Sequence, residues 1–454
     1  MGSLNKKYGI FTAVCMVVGI VIGSGIFFKA EEVLNDAGGN ALYSILAWLI
    51  SGFIMVIIAT TFAVLATKYE KINGAVDYAE AICGRKYSYY VGWFMSLIYY
   101  PAMTAVLAWV SARYTLVAML GNDSKIFSAE CITLSLFYLM LSFFINTISP
   151  RIAGKFQISS TIVKLVPIVF IAVVGTVIGL VNGSLGSNFT SVEADGSTGG
   201  SLFAAICSTV FAYEGWIVAT SINSELRDSK KNLPIALCLG TLIIVAAYTL
   251  YNVGILGLAD VKDITSEGTT VAFNNLFGGV LAPVINVLVV ISCLGTLNGL
   301  MLGGVRGIYS LAARGQGFAP ETFAQVDKMT GIPHNSAIFS LFMCGFWFVY
   351  FIGVSAGVFD LGSLSDYAFD SSELPIITLY AMYIPILVVM MVKEKGTHPV
   401  KRFLLPILSL VGIGIIITAC IIKHRMGNVW YLIMFAIFMI AGYLTQKINS
   451  RKSK

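Results

Sequence analysis

The chain has 454 residues, 57% of them hydrophobic and 11% charged, with a formal net charge of +6. Soluble domains carry about 25% charged residues, so a chain this apolar cannot cover itself with polar surface and reads as one integral membrane domain. Its cations are divided among loops and build no basic helix or patch, which gives no support to a nucleic-acid partner.

Stretches of about 20 apolar residues place twelve spans at roughly 9–34, 40–66, 88–119, 128–148, 156–182, 201–224, 233–257, 279–311, 336–353, 368–392, 403–422 and 428–446. Lys29, Arg113, Lys125, Lys262, Lys423 and Arg425 fall on one face; apart from Lys164, the rest of the 29 cations fall on the face that holds both termini. The bias toward positive charge inside then predicts cytoplasmic termini, which an even number of spans allows.

Within the first span, Val21, Ile22, Gly23, Ser24, Gly25, Ile26 and Phe27 follow one another near the centre of an apolar run. A lipid-facing helix has no use for Gly-Ser-Gly there, because glycine costs a helix interior about 1 kcal/mol relative to alanine. Opening the backbone frees N–H and C=O groups that hydrocarbon cannot satisfy. The sequence therefore predicts a broken span and a binding site at mid-membrane depth. No Ala-x-Ala site follows, so the segment is not read as a cleaved signal.

The 68–86 loop has mixed charge, a turn signal at Asn73-Gly74 and the amphipathic character of a short interfacial helix. Pro101 in span 3, and Tyr248 and Tyr251 in span 7, are weaker candidates for lining a cavity. Lys164 lies about 8 residues into span 5, about 12 Å deep at 1.5 Å per residue. Intramembrane lysines face a cavity or a partner; this one is expected to contact carbonyls of the span-1 break and to act there as a fixed cation in place of a bound sodium ion. The 181–200 stretch is rich in Gly, Ser, Thr and Asn and reads as a flexible outer loop.

Span 6 carries Phe211, Ala212, Tyr213, Glu214, Gly215 and Trp216, a second predicted break. Spans 1 and 6 are five apart, the mark of two five-span halves inserted in opposite orientations. Free N–H groups at the start of a half-helix suit a carboxylate, and free carbonyls at the second break suit an ammonium. The two breaks together suit an α-amino acid zwitterion, with Val21, Ile22, Gly23, Ser24 and Gly25 on one side and Phe211, Ala212, Tyr213 and Glu214 on the other. Phe211 is read as a gate over the substrate. Glu214 can bind a substrate nitrogen, take a proton or pair with a cation.

Span 8 concentrates small and hydroxylated residues from Ile291 to Gly299, which suit close helix packing or supply Ser292 and Thr296 as partners of Lys164. Asp370 and Glu373 read as interfacial. The eight cysteines show no metal-binding spacing and read as packing residues, and the three histidines are scattered. No metal or cofactor is expected.

The glycine motif of span 1, Phe-Ala-Tyr-x-Gly-Trp in span 6 and Lys164-Leu165 in span 5 resemble the amino acid–polyamine–organocation superfamily, and within it the L-type amino acid transporter branch and bacterial serine/threonine or alanine/serine/cysteine exchangers. The resemblance implies a single all-α transmembrane domain over 1–454 with a LeuT-like fold of twelve helices. It implies a five-plus-five inverted repeat, about 9–182 and 201–392, with helices 1 and 6 broken and accessory helices at about 403–446. It also implies alternating access by rocking and half-helix tilting. By motif match, Gly23, Ser24 and Gly25 would bind the carboxylate, Phe211 and Ala212 would bind the amine and gate the site, and Lys164 would replace a sodium site. Glu214 stands where animal members commonly have glycine. Animal members join a heavy subunit through a cysteine after span 3; the 121–130 loop has none, so no disulfide-linked partner is expected.

The expectation is a sodium-independent exchanger of small neutral amino acids in a bacterial plasma membrane, with proton-coupled symport as the alternative. A membrane-embedded enzyme would need a catalytic pair or metal ligands at depth, and none is apparent in the sequence. A nutrient receptor without transport would bind the same ligand without flux.

Overall fold

A computed structural model describes residues 9–69, 74–121, 127–148, 150–190, 201–220, 226–327, 331–355 and 368–452, and the described residues are helical with short connections. Helices α1 (Ile10–Val21) and α2 (Gly25–Asp36) form a pair bent by 49° at a three-residue break. Next come α3 (Ala41–Lys68), the short α4 (Ala75–Cys83), and α5 (Arg85–Phe94), which passes through a π-type turn at Met95–Tyr99 into α6 (Tyr100–Leu120). Then follow α7 (Ala129–Ile148) and α8 (Pro150–Phe170), which continues through a second π-type turn, Ile171–Gly175, into α9 (Thr176–Asn182).

The second half begins after α10 (Ser184–Thr190) with α11 (Leu202–Thr209), a turn, and α12 (Trp216–Ala219). Beyond it are α13 (Ser229–Leu258), α14 (Val261–Glu267) and α15 (Thr270–Ala312), which kinks at Gly278 (φ +66°). The chain ends with α16 (Pro320–Phe323), α17 (His334–Ser355), α18 (Leu374–Lys393), α19 (Leu405–His424) and α20 (Met426–Lys452). Among the described residues ten helices are long and apolar enough to cross a membrane, and eleven if the bent α1–α2 pair counts as one. The segment expected as span 6 is divided into pieces too short to count.

Two packing relations position the site. α13 lies along α1 and α3, and α15 lies along α6 and α8. α13 also crosses the π-type turn between α8 and α9, and that crossing is built from glycines: a Cβ at Gly254 would strike the carbonyl of Ile171, and one at Gly257 the carbonyl of Gly175. Backbones approach this closely only where side chains are absent. At the end of the bundle that holds both termini, Tyr69 donates to Glu394 at 2.8 Å, Lys68 pairs with the same carboxylate, and Arg314 pairs with Asp77 at 2.5 Å. These contacts fasten α3 to α18 and α4 to α15.

The structure corrects several boundaries. Part of the expected 181–200 loop is the helix α10, docked by Asn188, whose amide donates to the carbonyls of Leu256 (2.7 Å) and Ala259 (3.0 Å). Its polar residues satisfy backbone of α13 rather than solvate a loop; residues 191–200 lie outside the described set. Helix α18 starts at Leu374, not at 368, with Pro375 in its first turn, a position that needs no N–H. Gly74 caps α4, the short helix expected in the 68–86 loop, while Asn73 lies outside the described residues.

Gly254→Leu should prevent recovery of monodisperse protein, because leucine would collide with backbone that cannot yield. Gly345→Leu, on α17 with nothing within 4 Å of its Cβ, should leave the melting temperature nearly unchanged. Size-exclusion chromatography and thermal melting in detergent compare the two.

Candidate functional site

The break between α1 and α2 comprises Ile22, Gly23 and Ser24. Ile22 still donates to Val18 (2.9 Å) but turns extended, and the helix resumes when Phe27 and Phe28 donate to the Ser24 carbonyl at 3.0 and 2.9 Å. Among the described residues the N–H groups of Ser24, Gly25 and Ile26 make no hydrogen bond, and the buried Ser24 hydroxyl has no partner. They form a free positive helix start, deep inside the bundle.

The second break runs from Val210 to Gly215. Ala212 and Tyr213 still donate to the Thr209 carbonyl, and then Gly215 (φ +107°), a left-handed position that favours glycine, redirects the chain into α12. The carbonyls of Val210, Phe211 and Tyr213 accept no hydrogen bond among the described residues. A Cβ on Gly25 would sit 2.5 Å from Ala212 Cα, so the two breaks touch through the absent side chain. Gly23 is pressed in the same way against the Thr296 hydroxyl.

Three side chains hold the breaks. The Tyr248 hydroxyl lies 3.2 Å from the Val21 carbonyl and 3.1 Å from the Ala212 carbonyl, one on each break. Lys164, fully buried on α8, donates to the carbonyl of Gly19 in the last turn of α1. The Thr296 hydroxyl donates to the Ser292 carbonyl (3.3 Å) and packs on Gly23, while the Ser292 hydroxyl has no partner. No hydrogen bond joins Lys164 to Ser292 or Thr296 among the described residues; Thr296 serves the break directly.

A cavity of about 330 Å³ lies between the breaks. Val21, Gly23, Ser24, Gly25, Phe211, Ala212 and Glu214 line it. Ile22 and Tyr213 do not. Each points away from it, because the unwound turn sends neighbouring side chains in different directions: Ile22 is core, and the Tyr213 hydroxyl donates to the Trp48 carbonyl (2.8 Å). From the breaks the cavity wall continues to Gly74 and Ala75 of α4 and to Arg306 and Ser310 of α15, toward the end that holds the termini. Its opposite side is closed by Phe211, Phe28 and Trp109, edge to face with centroids 5.9 and 5.6 Å apart.

Glu214 stands in the wall with Oε1 accepting from the Tyr99 hydroxyl at 2.9 Å. The Tyr380 hydroxyl is nearby, yet Glu214 Oε2 makes no hydrogen bond in good geometry.

Behind the aromatic layer, at the end of the bundle away from the termini, the structure overturns the interfacial reading of Glu373. Its side chain is fully buried; Oε1 accepts from Lys29 (2.7 Å) and Lys423 (2.9 Å), and Oε2 lies 2.9 Å from His424 Nε2. Lys29 also pairs with Glu32 (2.6 Å), and Lys423 with Glu32 (2.7 Å) and Asp36 (2.9 Å). Asp370 is half-buried beside the cluster. A buried carboxylate is retained only with such partners; from the sequence, Glu373 at a helix start looked able to reach water. The Lys29 ammonium also lies 5.7 Å from the Phe211 ring, so the cluster and the aromatic layer touch.

Residues 8–443 match the model of the amino acid permease family. The chain belongs to that family. It is 28% identical over 434 residues to the serine/threonine exchanger SteT of Bacillus subtilis, covering 93% of each chain. It is 24% identical over 453 residues to the human b(0,+)-type amino acid transporter 1, covering 97% of this chain and 87% of that protein. Over 347 residues it is 28% identical to the human large neutral amino acids transporter small subunit 2, covering 73% and 62%. This amino acid permease is thus a multi-pass membrane protein and not an enzyme.

Sequence reasoning missed Tyr99, Tyr380 and Arg306 in the permease. Tyr99 sits in a π-type turn, a local irregularity that is frequent at functional sites; Pro101, two residues on, was its only signal. Tyr248, named for cavity lining, instead bridges both breaks.

Tyr248→Phe should lower stability by about 1–3 kcal/mol, the cost of leaving buried acceptors without their donor. The fall in melting temperature in detergent measures it, with Tyr443→Phe on the exposed face of α20 as the unaffected control. Gly25→Val should abolish ligand-induced thermal stabilisation, because its branches would occupy the contact with Ala212.

Proposed function

We propose that this permease is a sodium-independent exchanger of small neutral L-amino acids that works by alternating access. One observation carries the reading: two interrupted helices face each other across a 330 Å³ cavity, with unpaired N–H groups on one and unpaired carbonyls on the other. An α-carboxylate at Ser24 and Gly25 and an α-ammonium at the Phe211 carbonyl satisfy groups of both sets at once. The volume suits a small amino acid. The relatives, a serine/threonine exchanger and an amino acid transporter, point the same way.

Lys164 supports sodium independence. Its ammonium already holds the last turn of α1, where an unwound segment otherwise needs a cation. The pairing of α3 with α13, and of α6 with α15, repeats one relation between elements five spans apart and supports the twelve-helix, five-plus-five inverted repeat of a LeuT-like fold. With both termini in the cytoplasm, the cavity leads inward and Phe211 with the buried ionic cluster closes the outer side. Outward opening then requires α2 and α11 to tilt away from α18 and α19. Glu214 Oε2 offers an acceptor to a donor-bearing substrate side chain.

Proton-coupled symport is the competing reading, favoured by Glu214, a carboxylate in the cavity wall. In proteoliposomes, labelled amino acid should enter vesicles preloaded with unlabelled amino acid much faster than empty ones, unchanged by a sodium gradient. Net uptake driven into empty vesicles by an imposed pH gradient would favour the symporter. Lys164→Ala should lose most exchange while the protein remains monodisperse; full exchange in that variant would remove the lysine from the mechanism. Glu214→Gln should alter the ranking of competing amino acids more than the exchange rate of the best apolar one.

A further inference from the structure

Outside the cavity, one cluster carries chemistry that ion pairing does not use. Cys207 on α11, Glu373 just before α18 and His424 at the end of α19 converge on one point. Cys207 Sγ is 3.3 Å from Glu373 Oε2 and 3.7 Å from His424 Nε2, and Nε2 is 2.9 Å from Oε2. A tetrahedral zinc ion, with bonds of about 2.3 Å to sulfur and about 2.0–2.1 Å to nitrogen or oxygen, sets its ligand atoms roughly 3.3–3.6 Å apart. The two sulfur edges are already within a few tenths of an ångström of that figure. The third is a hydrogen bond that opens by about 0.4 Å to admit the ion.

The donor set is the one that selects zinc among common divalent ions: a thiolate, an imidazole and a carboxylate. A fourth donor stands one step outside this group. Cys420 is four residues before His424, so both lie on one face of α19. Its thiol lies beside that of Cys207 and now donates to Asn428 Oδ1 at 3.0 Å.

The two lysines do not exclude a cation. Lys29 and Lys423 both bind Glu373 Oε1, which leaves Oε2 turned toward the cysteine and histidine. Around them stand the carboxylates of Glu32, Asp36, Asp370 and Glu373, so four formal negative charges face two ammonium groups and the His424 imidazole. A dication is compensated, and on binding the thiol protons of Cys207 and Cys420 and the proton that His424 Nε2 turns toward Glu373 leave to solvent, since metal takes thiolate and an unprotonated imidazole nitrogen. The His424 side chain is 10% exposed and marks the entry path from the bundle end.

We propose that Cys207, Glu373 and His424, with Cys420 as the fourth donor, form a Zn²⁺ site that clamps α11 to α18 and α19. The clamp joins helices that must separate when the cavity opens on that side, so bound zinc holds the permease closed there and stops exchange. This second step rests on the exchanger reading; the binding step does not.

The test uses the tag-free full chain in detergent, stripped with a chelator. Calorimetric titration with Zn²⁺ should show one equivalent bound, and Co²⁺ should give a thiolate-to-metal charge-transfer band. Cys207→Ser and His424→Ala should each weaken binding about tenfold or more and remove the band, while Cys238→Ser on α13 should change neither. Saturable binding that Cys207→Ser leaves intact, or no binding at all, overturns the site. In proteoliposomes Zn²⁺ should block exchange by the unsubstituted protein and spare Cys207→Ser. Zinc that binds at the site yet leaves exchange untouched overturns the clamp. A chain that exchanges nothing even without metal refutes the exchanger reading, and the titration still decides the site.

Discussion

The structure depends on one constraint: main-chain polarity must be satisfied inside hydrocarbon, and two helices here are interrupted deep inside the bundle. The protein meets part of that demand itself. Tyr248 reaches a carbonyl on each break, and Lys164 takes a carbonyl in the last turn of α1. The rest is left unmet, as the free N–H groups from Ser24 to Ile26 and the free carbonyls around Phe211. An incompletely satisfied pair of breaks is less stable than two continuous helices, and on the proposed reading a zwitterion with opposite charges at its two ends supplies the difference. On that account binding and the integrity of this region are one equilibrium seen from two sides.

The closed side of the cavity follows from the same geometry. Helices α2 and α11 are the halves of the broken segments that lie toward the end away from the termini, and short half-helices can tilt without moving the bundle. Their ends are tied to α18 and α19 by Glu373, Lys29, Lys423 and His424. Buried ion pairs contribute little net stability against an apolar alternative, but removing one partner is strongly destabilising. Such a network therefore holds a closed arrangement firmly and, if opened to water, loses little because each charge is resolvated. That property suits a closure made and broken in each cycle, whereas an apolar contact of the same area would expose greasy surface whenever it opened.

Much of this was legible in the sequence, because the features that carry it are locally anomalous. Gly23-Ser24-Gly25 in an apolar run, a glutamate beside a glycine in span 6 and a lysine deep in span 5 each violate what lipid permits, and each lies at a break or against one. What was not legible depends on long-range assembly. Glu373 was read as interfacial because nothing local shows that Lys29, 344 residues away, would bury it. Ile22 and Tyr213 were assigned to the site with their neighbours because the direction of a side chain within an unwound turn is set by the turn, not by the residue type. Tyr99 carried no local sign beyond the proline two residues on.

The cysteines and histidines show this limit most sharply. Counted along the chain, they have no recurring spacing, and the search for paired ligands close in sequence fails because the donors come from three helices. The one local trace was Cys420 and His424, four apart on a helix, a spacing that places both on the same face but becomes meaningful only beside Cys207 and Glu373. A site assembled from separate helices cannot precede their packing. It also reports on that packing: three donors on α11, α18 and α19 share an ion only while those helices are together, so its affinity for metal measures how far the permease is closed on that side.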